Sequence, residues 1–405
     1  MKKILIFSLA YFPKYVGGAE VAIKEITDRI TDVEFHLITN RYDSTLPTIE
    51  KVGNVLVHRI GFTTQNPSMV DLRKWPLHVN KPLFQFLAAW KALMLHRKYS
   101  YDGIWAMMPH SSGVPAAIFK LFHSKVPYIL TIQEGDPPEH IERTMLPVWP
   151  LFSRAFTSAD VVTGISTFLG KWAQRRGFKG EFLLIPNAAD TRHFSEKHPD
   201  SLVNEIKDEL GKKMGDVFLI TTSRLVYKNA VDDVIRALPK MPDNVHFIIL
   251  GVGGDEEKLR TLARECGVAD RVRFVGYVLH KDMPKYLQAA DIFIRPSRSE
   301  GMGASFIEAF AAGLPVIATQ EGGLSDIIFD EKRNPDVPIT GFAVDKDSPD
   351  QIAGAVKEIM EHPEKVRAVV ATAKQMAIEK YDWDIIARDM REKVFARVFG
   401  TYDAM

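Results

Sequence analysis

Short apolar runs rich in Ile, Val, Leu and Phe recur along this chain, separated by stretches of helical periodicity, and this alternation constrains the fold more than any other feature. In the first half the runs fall at residues 4–8, 34–39, 55–60, 103–106, 128–132, 161–164 and 182–185. In the second half they fall at 217–222, 246–250, 272–275, 292–294, 316–318 and 342–344. Strands this short and this apolar suit burial on both faces, which implies parallel sheets flanked by helices. A chain of 405 residues is too long for one compact core. The two series therefore predict an α/β fold of two doubly wound, Rossmann-like domains. The most polar stretch, residues 190–216, interrupts the rhythm and sets the expected boundary. The division is an N-terminal domain of 1–195 and a C-terminal domain of 196–383. Residues 352–397 read as almost wholly helical, broken by Pro363 and by the Tyr-Asp-Trp-Asp run 381–384. Asp384 is the expected N-cap of the last helix.

Composition removes several function classes. A net charge of +1 gives no field that would gather nucleic acid. The single cysteine, Cys266, excludes a disulfide framework within the chain and suits a reducing, cytoplasmic setting. No apolar stretch reaches the ~18 residues needed to span a bilayer. The opening MKKILIFSLA has the outline of a signal peptide. The unbroken alternation that follows makes it instead a buried first strand feeding a glycine-bearing loop and a helix.

In open parallel sheets, ligands bind beyond the carboxyl ends of the strands, so chemistry is expected on loops that follow strands. The strongest such loop lies in RPSRSEGMGASFIEAFAAGLPVIATQEGG, residues 295–323. A strand ends before a loop carrying Glu300, Gly301, Met302 and Gly303; a helix follows at 304–312 and carries Glu308. Glycines let backbone N–H groups approach a ligand closely. A helix N-terminus beside them favours an anion. Ionised carboxylates are acceptors only, which suits the hydroxyls of a sugar or a ribose.

This stretch resembles the family 4 glycosyltransferases of the GT-B fold, whose signature is a Glu, seven residues and a second Glu in this strand-loop-helix setting. The resemblance implies that Glu300 contacts the donor sugar and that Glu308 holds the nucleotide ribose. It also implies that the amides of Gly301, Met302 and Gly303 line the sugar pocket. The fold it implies is two Rossmann-like domains facing across a cleft, with the last helix, about 384–405, completing the N-terminal domain.

Other segments fit the same pattern. SRLVYKNAVDDVIRAL, residues 223–238, follows a strand and opens a helix. Arg224 and Lys228 there could hold a diphosphate and stabilise its developing charge. The family is similar but usually has Gly where this chain has Asn229, a residue that tolerates a left-handed backbone. YFPKYVGGAEVAIKEI, residues 11–26, places Gly17 and Gly18 between a strand and a helix. One reading is a tight turn that needs glycine; the resemblance implies closure over the donor phosphates. It does not match G-x-G-x-x-G, so a dinucleotide fingerprint is unsupported. LLIPNAADTRHF (183–194) and LGVGGDEEKL (250–259) also resemble family segments.

The departure is TIQEGDPPEH, residues 131–140. Many family members have His after this strand, near the anomeric carbon; this chain has Gln133. Gln cannot accept a proton near neutral pH but can hydrogen-bond a sugar hydroxyl. In retaining transfer the leaving phosphate can take the acceptor's proton. Glu134, Asp136 and His110 are the stand-in candidates.

No metal is expected: the spacing of Asp136, Glu139 and His140 matches no firm ligand pattern. No cofactor is expected beyond the nucleotide-diphosphate-sugar donor. Residues 74–98 interleave Trp75, Phe84, Phe86 and Trp90 with Lys81, Lys91, Arg97 and Lys98. They read either as a helix packed on the N-terminal sheet or as a peripheral contact with a membrane that presents a lipid-linked acceptor. The function expected is a retaining hexosyltransferase acting on a hydroxyl of a glycan, a lipid-linked glycan or a small molecule. The rivals are a nucleotide-sugar epimerase and a non-catalytic sugar-nucleotide binder.

Overall fold

The computed structural model describes residues 1–400, and the chain divides into two compact units. The first comprises residues 1–187 with the closing segment from Trp383, and the second comprises Ala188–Asp382.

In the first unit the strands are β1 (Lys2–Phe7), β2 (Val33–Asn40), β3 (Ile49–Val52), β4 (Val55–Ile60), β5 (Gly103–Met107), β6 (Tyr128–Ile132), β7 (Val161–Gly164) and β8 (Phe182–Leu184). They form one sheet in the order β3-β4-β2-β1-β5-β6-β7-β8. Every pairing is parallel except β3 on β4. That antiparallel edge hairpin is absent from the sequence-based strand series. Ile49–Val52 alternates exposed and half-buried positions, so it lacks an apolar run. The readable signal was Gly53-Asn54 between two strand-like segments.

The central strands are buried on both faces, as the run of Ile4, Leu5, Ile6 and Phe7 at 0% exposure shows. Trp105, Tyr128 and Trp172 are the largest fully buried side chains. Burial of such a side chain is worth about 1.5–3 kcal/mol or more.

The closing segment packs onto this unit. Phe395 lies 6.0 Å from Phe35 and 5.6 Å from Trp105, ring centre to ring centre. The Arg391 guanidinium donates to Asp32, and Arg29 Nε donates to Asp384 Oδ1 at 2.7 Å. Asp384 does not stand at the N-cap position expected for it. The helix runs Trp383–Asp389, so Asp384 lies in its first turn and turns outward to Arg29. Asp382, just before the helix, accepts from Thr191 Oγ1 at 2.5 Å.

The second unit holds β9 (Val217–Thr222), β10 (Val245–Leu250), β11 (Val272–Gly276), β12 (Ile292–Arg295), β13 (Val316–Ala318) and β14 (Phe342–Ala343). The order is β11-β10-β9-β12-β13-β14, with all pairings parallel. Chain order runs outward from β9 in one direction and from β12 in the other. The topological switch point therefore lies between these two strands, where open α/β sheets bind ligands. In the first unit the equivalent point lies between β1 and β5.

Candidate functional site

The loops after β9 and β12 flank the switch point of the second unit, and they carry Arg224, Lys228, Glu300, Gly301, Met302 and Gly303. They are joined through their backbones: Arg298 N donates to Lys228 O at 2.7 Å. The Arg298 guanidinium adds Tyr227 O at 2.8 Å and carboxylate oxygens of Asp232, Asp233 and Asp347. It also stacks over the Tyr227 ring at 4.2 Å. One arginine thus fixes the loop of Lys228 against the loop of Glu300.

Arg295, the last residue of β12, orients Glu300. Its Nη2 donates to Glu300 Oε2 at 2.8 Å, and its Nη1 donates to Ser305 Oγ at 2.8 Å and to Thr222 O at 3.3 Å. Phe306 lies under the guanidinium at 4.4 Å. Burial lowers the Arg295 pKa; the nearby Glu300 and Glu308 oppose that effect. The other Glu300 oxygen, Oε1, accepts from Gly301 N at 3.1 Å. That amide, expected to line the sugar pocket, donates to the neighbouring Glu300 side chain. Met302 is fully buried and Gly303 begins the helix Ala304–Ala312. Gly303 has φ +79°, and a Cβ there would fall 2.6 Å from Arg295 Nη2, so glycine is required twice over. Gly323 N donates to Glu300 O at 3.0 Å from the loop after β13.

Glu308 projects from the helix Ala304–Ala312 and meets His280 Nε2 at 3.0 Å. His280 is 63% exposed and stands edge-on to Phe194, 5.2 Å away.

Arg224 is exposed at the end of β9, and its carbonyl accepts from Asn229 Nδ2 at 2.7 Å. Asn229 does not supply a left-handed backbone. That conformation falls on Ala230, at φ +53°, while the buried Asn229 side chain closes the loop. Two of the three glycines of LGVGGDEEKL, Gly251 and Gly253, pack against the same loop. A Cβ at Gly251 would lie 1.9 Å from Ser223 O, and one at Gly253 would lie 2.2 Å from Leu225 O.

The candidates of the first unit also lie after strands. Gly17 has φ −123° and ψ −170°, open to any residue, so a turn that needs glycine does not explain it. Its N–H donates to Glu20 Oε2 at 2.7 Å, and a Cβ would lie 3.1 Å from that oxygen. A Cβ on Gly18 would lie 3.9 Å from Asn187 Nδ2, and the same Asn187 nitrogen donates to Gln133 Oε1 at 3.3 Å. Gly18, Asn187 and Gln133 therefore adjoin one another. Glu134 is 1% exposed; it meets His110 Nδ1 at 3.1 Å and accepts from Gln133 N at 2.9 Å. His110 sits on a π-helical turn, Pro109–Gly113, entered through Met108 at φ +68°. Such backbone, rare for a non-glycine residue, concentrates at functional sites.

Arg295, Arg298, His280 and Asn187 were not singled out from the sequence. An arginine closing the apolar run IFIR was the one available sign, because a buried arginine needs a carboxylate partner.

Residues 203–376 match the family described as glycosyl transferases group 1, and residues 16–193 match glycosyltransferase family 4. The chain is 32% identical over 264 residues to a GDP-mannose-dependent alpha-(1-6)-phosphatidylinositol monomannoside mannosyltransferase of Mycobacterium tuberculosis. That match covers 62% of this chain and 65% of the relative, just under two thirds of its length. It is 25% identical over 342 residues to the 2-deoxystreptamine N-acetyl-D-glucosaminyltransferase of Niallia circulans, covering 77% of this chain and 82% of that one. Anabaena HepE in complex with UDP and glucose superposes with a TM-score of 0.75 at 22% identity, over 98% of this chain and 100% of HepE. Sucrose-phosphate synthase of Thermosynechococcus elongatus superposes at 0.78 and 19% identity, over 98% and 99%. The structural likenesses show the GT-B fold, and the two family matches, which between them span residues 16–193 and 203–376, place the chain among the group 1, family 4 glycosyltransferases.

Proposed function

We propose that this chain moves a hexosyl group from a nucleotide-diphosphate sugar to an acceptor hydroxyl with retention of configuration. The observation that carries the reading is Glu300. It is a carboxylate oriented by a buried arginine, at the sheet's switch point, beside a loop bearing Arg224 and Lys228. A fixed carboxylate accepts from sugar hydroxyls. Two cations and the N-terminus of the helix Ala304–Ala312 take the diphosphate charge, so the reading needs no metal and no further cofactor.

Glu308 is assigned the ribose, with His280 as its partner until nucleotide arrives. Met302 and Gly303 contribute backbone amides toward the sugar. Gly17 and Gly18 are assigned to the donor phosphates. Gln133, held by Asn187, is assigned to a sugar hydroxyl rather than to proton transfer. The leaving phosphate then takes the acceptor's proton on the face it departs from.

GDP-mannose is the first donor to test and a glycolipid the first acceptor, because the mycobacterial relative carries both in its name. UDP-glucose is the second, after the complex of HepE. A thermal-shift screen against UDP-, GDP-, ADP- and dTDP-sugars separates them. A donor at 100 times its dissociation constant stabilises the fold by about 2.7 kcal/mol. Release of nucleoside diphosphate only when acceptor is present, with the product anomer matching the donor's, supports the reading. Conversion of the donor to an epimer without acceptor overturns it.

A further inference from the structure

We propose that the outward face of the helix Asn80–Tyr99 docks on an anionic lipid bilayer. This 20-residue helix buries one side, with Phe84, Ala88 and Ala92 at 0% exposure. On the opposite side Leu83, Phe86, Leu87, Trp90 and Met94 are 37%, 50%, 38%, 61% and 46% exposed. The spacing 83, 86/87, 90, 94 is one stripe of an α-helix. Side chains of this size in a contiguous exposed stripe mark an interaction surface.

Further large apolar side chains are exposed near both ends of the helix. Trp75 is 76% exposed just before it. Leu121 and Phe122, 52% and 67% exposed, end the neighbouring helix Val114–Phe122. The His96 and His123 rings, 4.4 Å apart, bring that end beside the last turns of Asn80–Tyr99.

Charge selects the occupant. NKPLFQFLAAWKALMLHRKY contains no Asp or Glu but contains Lys81, Lys91, Arg97 and Lys98. On a helical wheel Lys91 and Lys98 border the apolar stripe, and Arg97 lies on its line. A second copy of the same face would set these cations against one another with no carboxylate on the helix to offset them. An anionic lipid surface meets both requirements: headgroups for the cations and an acyl boundary for Trp90, Phe86 and Leu87, with Trp at the depth it favours. Among the described residues no helix is long and apolar enough to cross a membrane, so the helix lies on the surface. For the acceptor this deepens the glycosyltransfer reading, on which that consequence rests: the hydroxyl is carried by a lipid. The docking itself does not depend on transfer.

The test is flotation of the full chain with phosphatidylcholine vesicles, and with vesicles in which part of the phosphatidylcholine is replaced by phosphatidylglycerol. The expected result is flotation with the anionic vesicles, weakened by salt. The paired substitution Phe86→Ser with Trp90→Ser should abolish it. Lys91→Gln with Lys98→Gln should weaken it by about fivefold per charge removed. Thermal stabilisation by the donor nucleotide should be unchanged in both variants. Failure of nucleotide binding in the wild-type protein would sink the transfer reading and leave the flotation result standing. Absence of flotation with anionic vesicles overturns the docking proposal. So does flotation undiminished in both variants, or a concentration-dependent dimer in sedimentation that the serine variants abolish.

Discussion

Arg295 Nη2 lies 2.8 Å from Glu300 Oε2, and the two side chains are 7% and 14% exposed. Removing one partner of such a pair leaves a buried charge uncompensated, at a cost of about 3–5 kcal/mol. Glu300→Ala should therefore lower the thermal midpoint before any ligand is added. Glu300→Gln, which keeps an acceptor for the guanidinium, should lower it less. Unfolding scans of the ligand-free variants check this, and a Glu300→Ala protein that melts with wild type would contradict the assigned pairing.

The two glutamates should divide the donor. Glu308→Ala should weaken bare nucleoside diphosphate, because its assigned partner is the ribose. Glu300→Gln should leave the bare nucleotide unchanged and weaken only the sugar-bearing donor. Titration calorimetry with each ligand separates the two, and equal losses in both variants would refute the division.

At the diphosphate, Arg224→Ala and Lys228→Ala should each leave the fold intact and lower turnover by roughly 10²-fold or more, the scale of a lost charge-stabilising donor. The measurement is steady-state rate with a donor of established identity. Near-wild-type rates in both variants would move the diphosphate elsewhere.

Gln133 tests where the proton goes. If it only orients a hydroxyl, Gln133→Ala should cost ~0.5–1.5 kcal/mol, or roughly 2- to 13-fold in rate. The Glu134 carboxylate is held by His110 and by Gln133 N, which suits a fixed acceptor more than a mobile base. A fall of roughly 10²–10⁴-fold in Glu134→Gln or Asp136→Asn, with donor binding unchanged, would make that carboxylate the general base.

Stability should fall in mild acid through His58. Its side chain is buried and neither ring nitrogen has a hydrogen-bond partner. Burial, with the neighbouring His36, pushes its pKa from 6.5 down to about 4. Burial lowers His36 as well. As pH falls below 6.5 the unfolded chain takes up a proton that folded His58 refuses until about 4. The unfolded state thus binds more protons across this window, and the thermal midpoint drops as pH falls through it. His58→Leu should shrink that drop. An identical pH slope in variant and wild type would exclude His58 as the cause.

How much was readable depended on whether a residue's role was local. The buried strands were legible because double-sided burial demands an apolar run. The loop of Glu300 was legible because glycine, carboxylate and helix start are adjacent in sequence. The edge strand Ile49–Val52 was not, since one face meets solvent and its pairing is set by the Gly53-Asn54 turn. His280 was missed because its partner lies 28 residues away, on another element. The left-handed residue fell on Ala230, not Asn229, because Asn229 is committed through its side chain to the Arg224 carbonyl. Asp384 looked like a cap by type and position, but the helix starts one residue earlier, at Trp383, and the Asp384 carboxylate accepts from Arg29, from the far end of the chain.

The closing segment has a consequence for synthesis. Ile386, Met390, Val394 and Phe395 are buried in the first unit, and a Cβ on Gly103 would fall 1.7 Å from the Phe399 ring. A ribosome releases all of Ala188–Asp382 before any of these residues. The half of the protein that is translated first is thus the half that finishes last, waiting with Phe35 and Trp105 uncovered while the later half already has its whole sequence. A nascent chain stalled anywhere short of Phe395 would expose that apolar surface, and in this window a chaperone or a protease would find it.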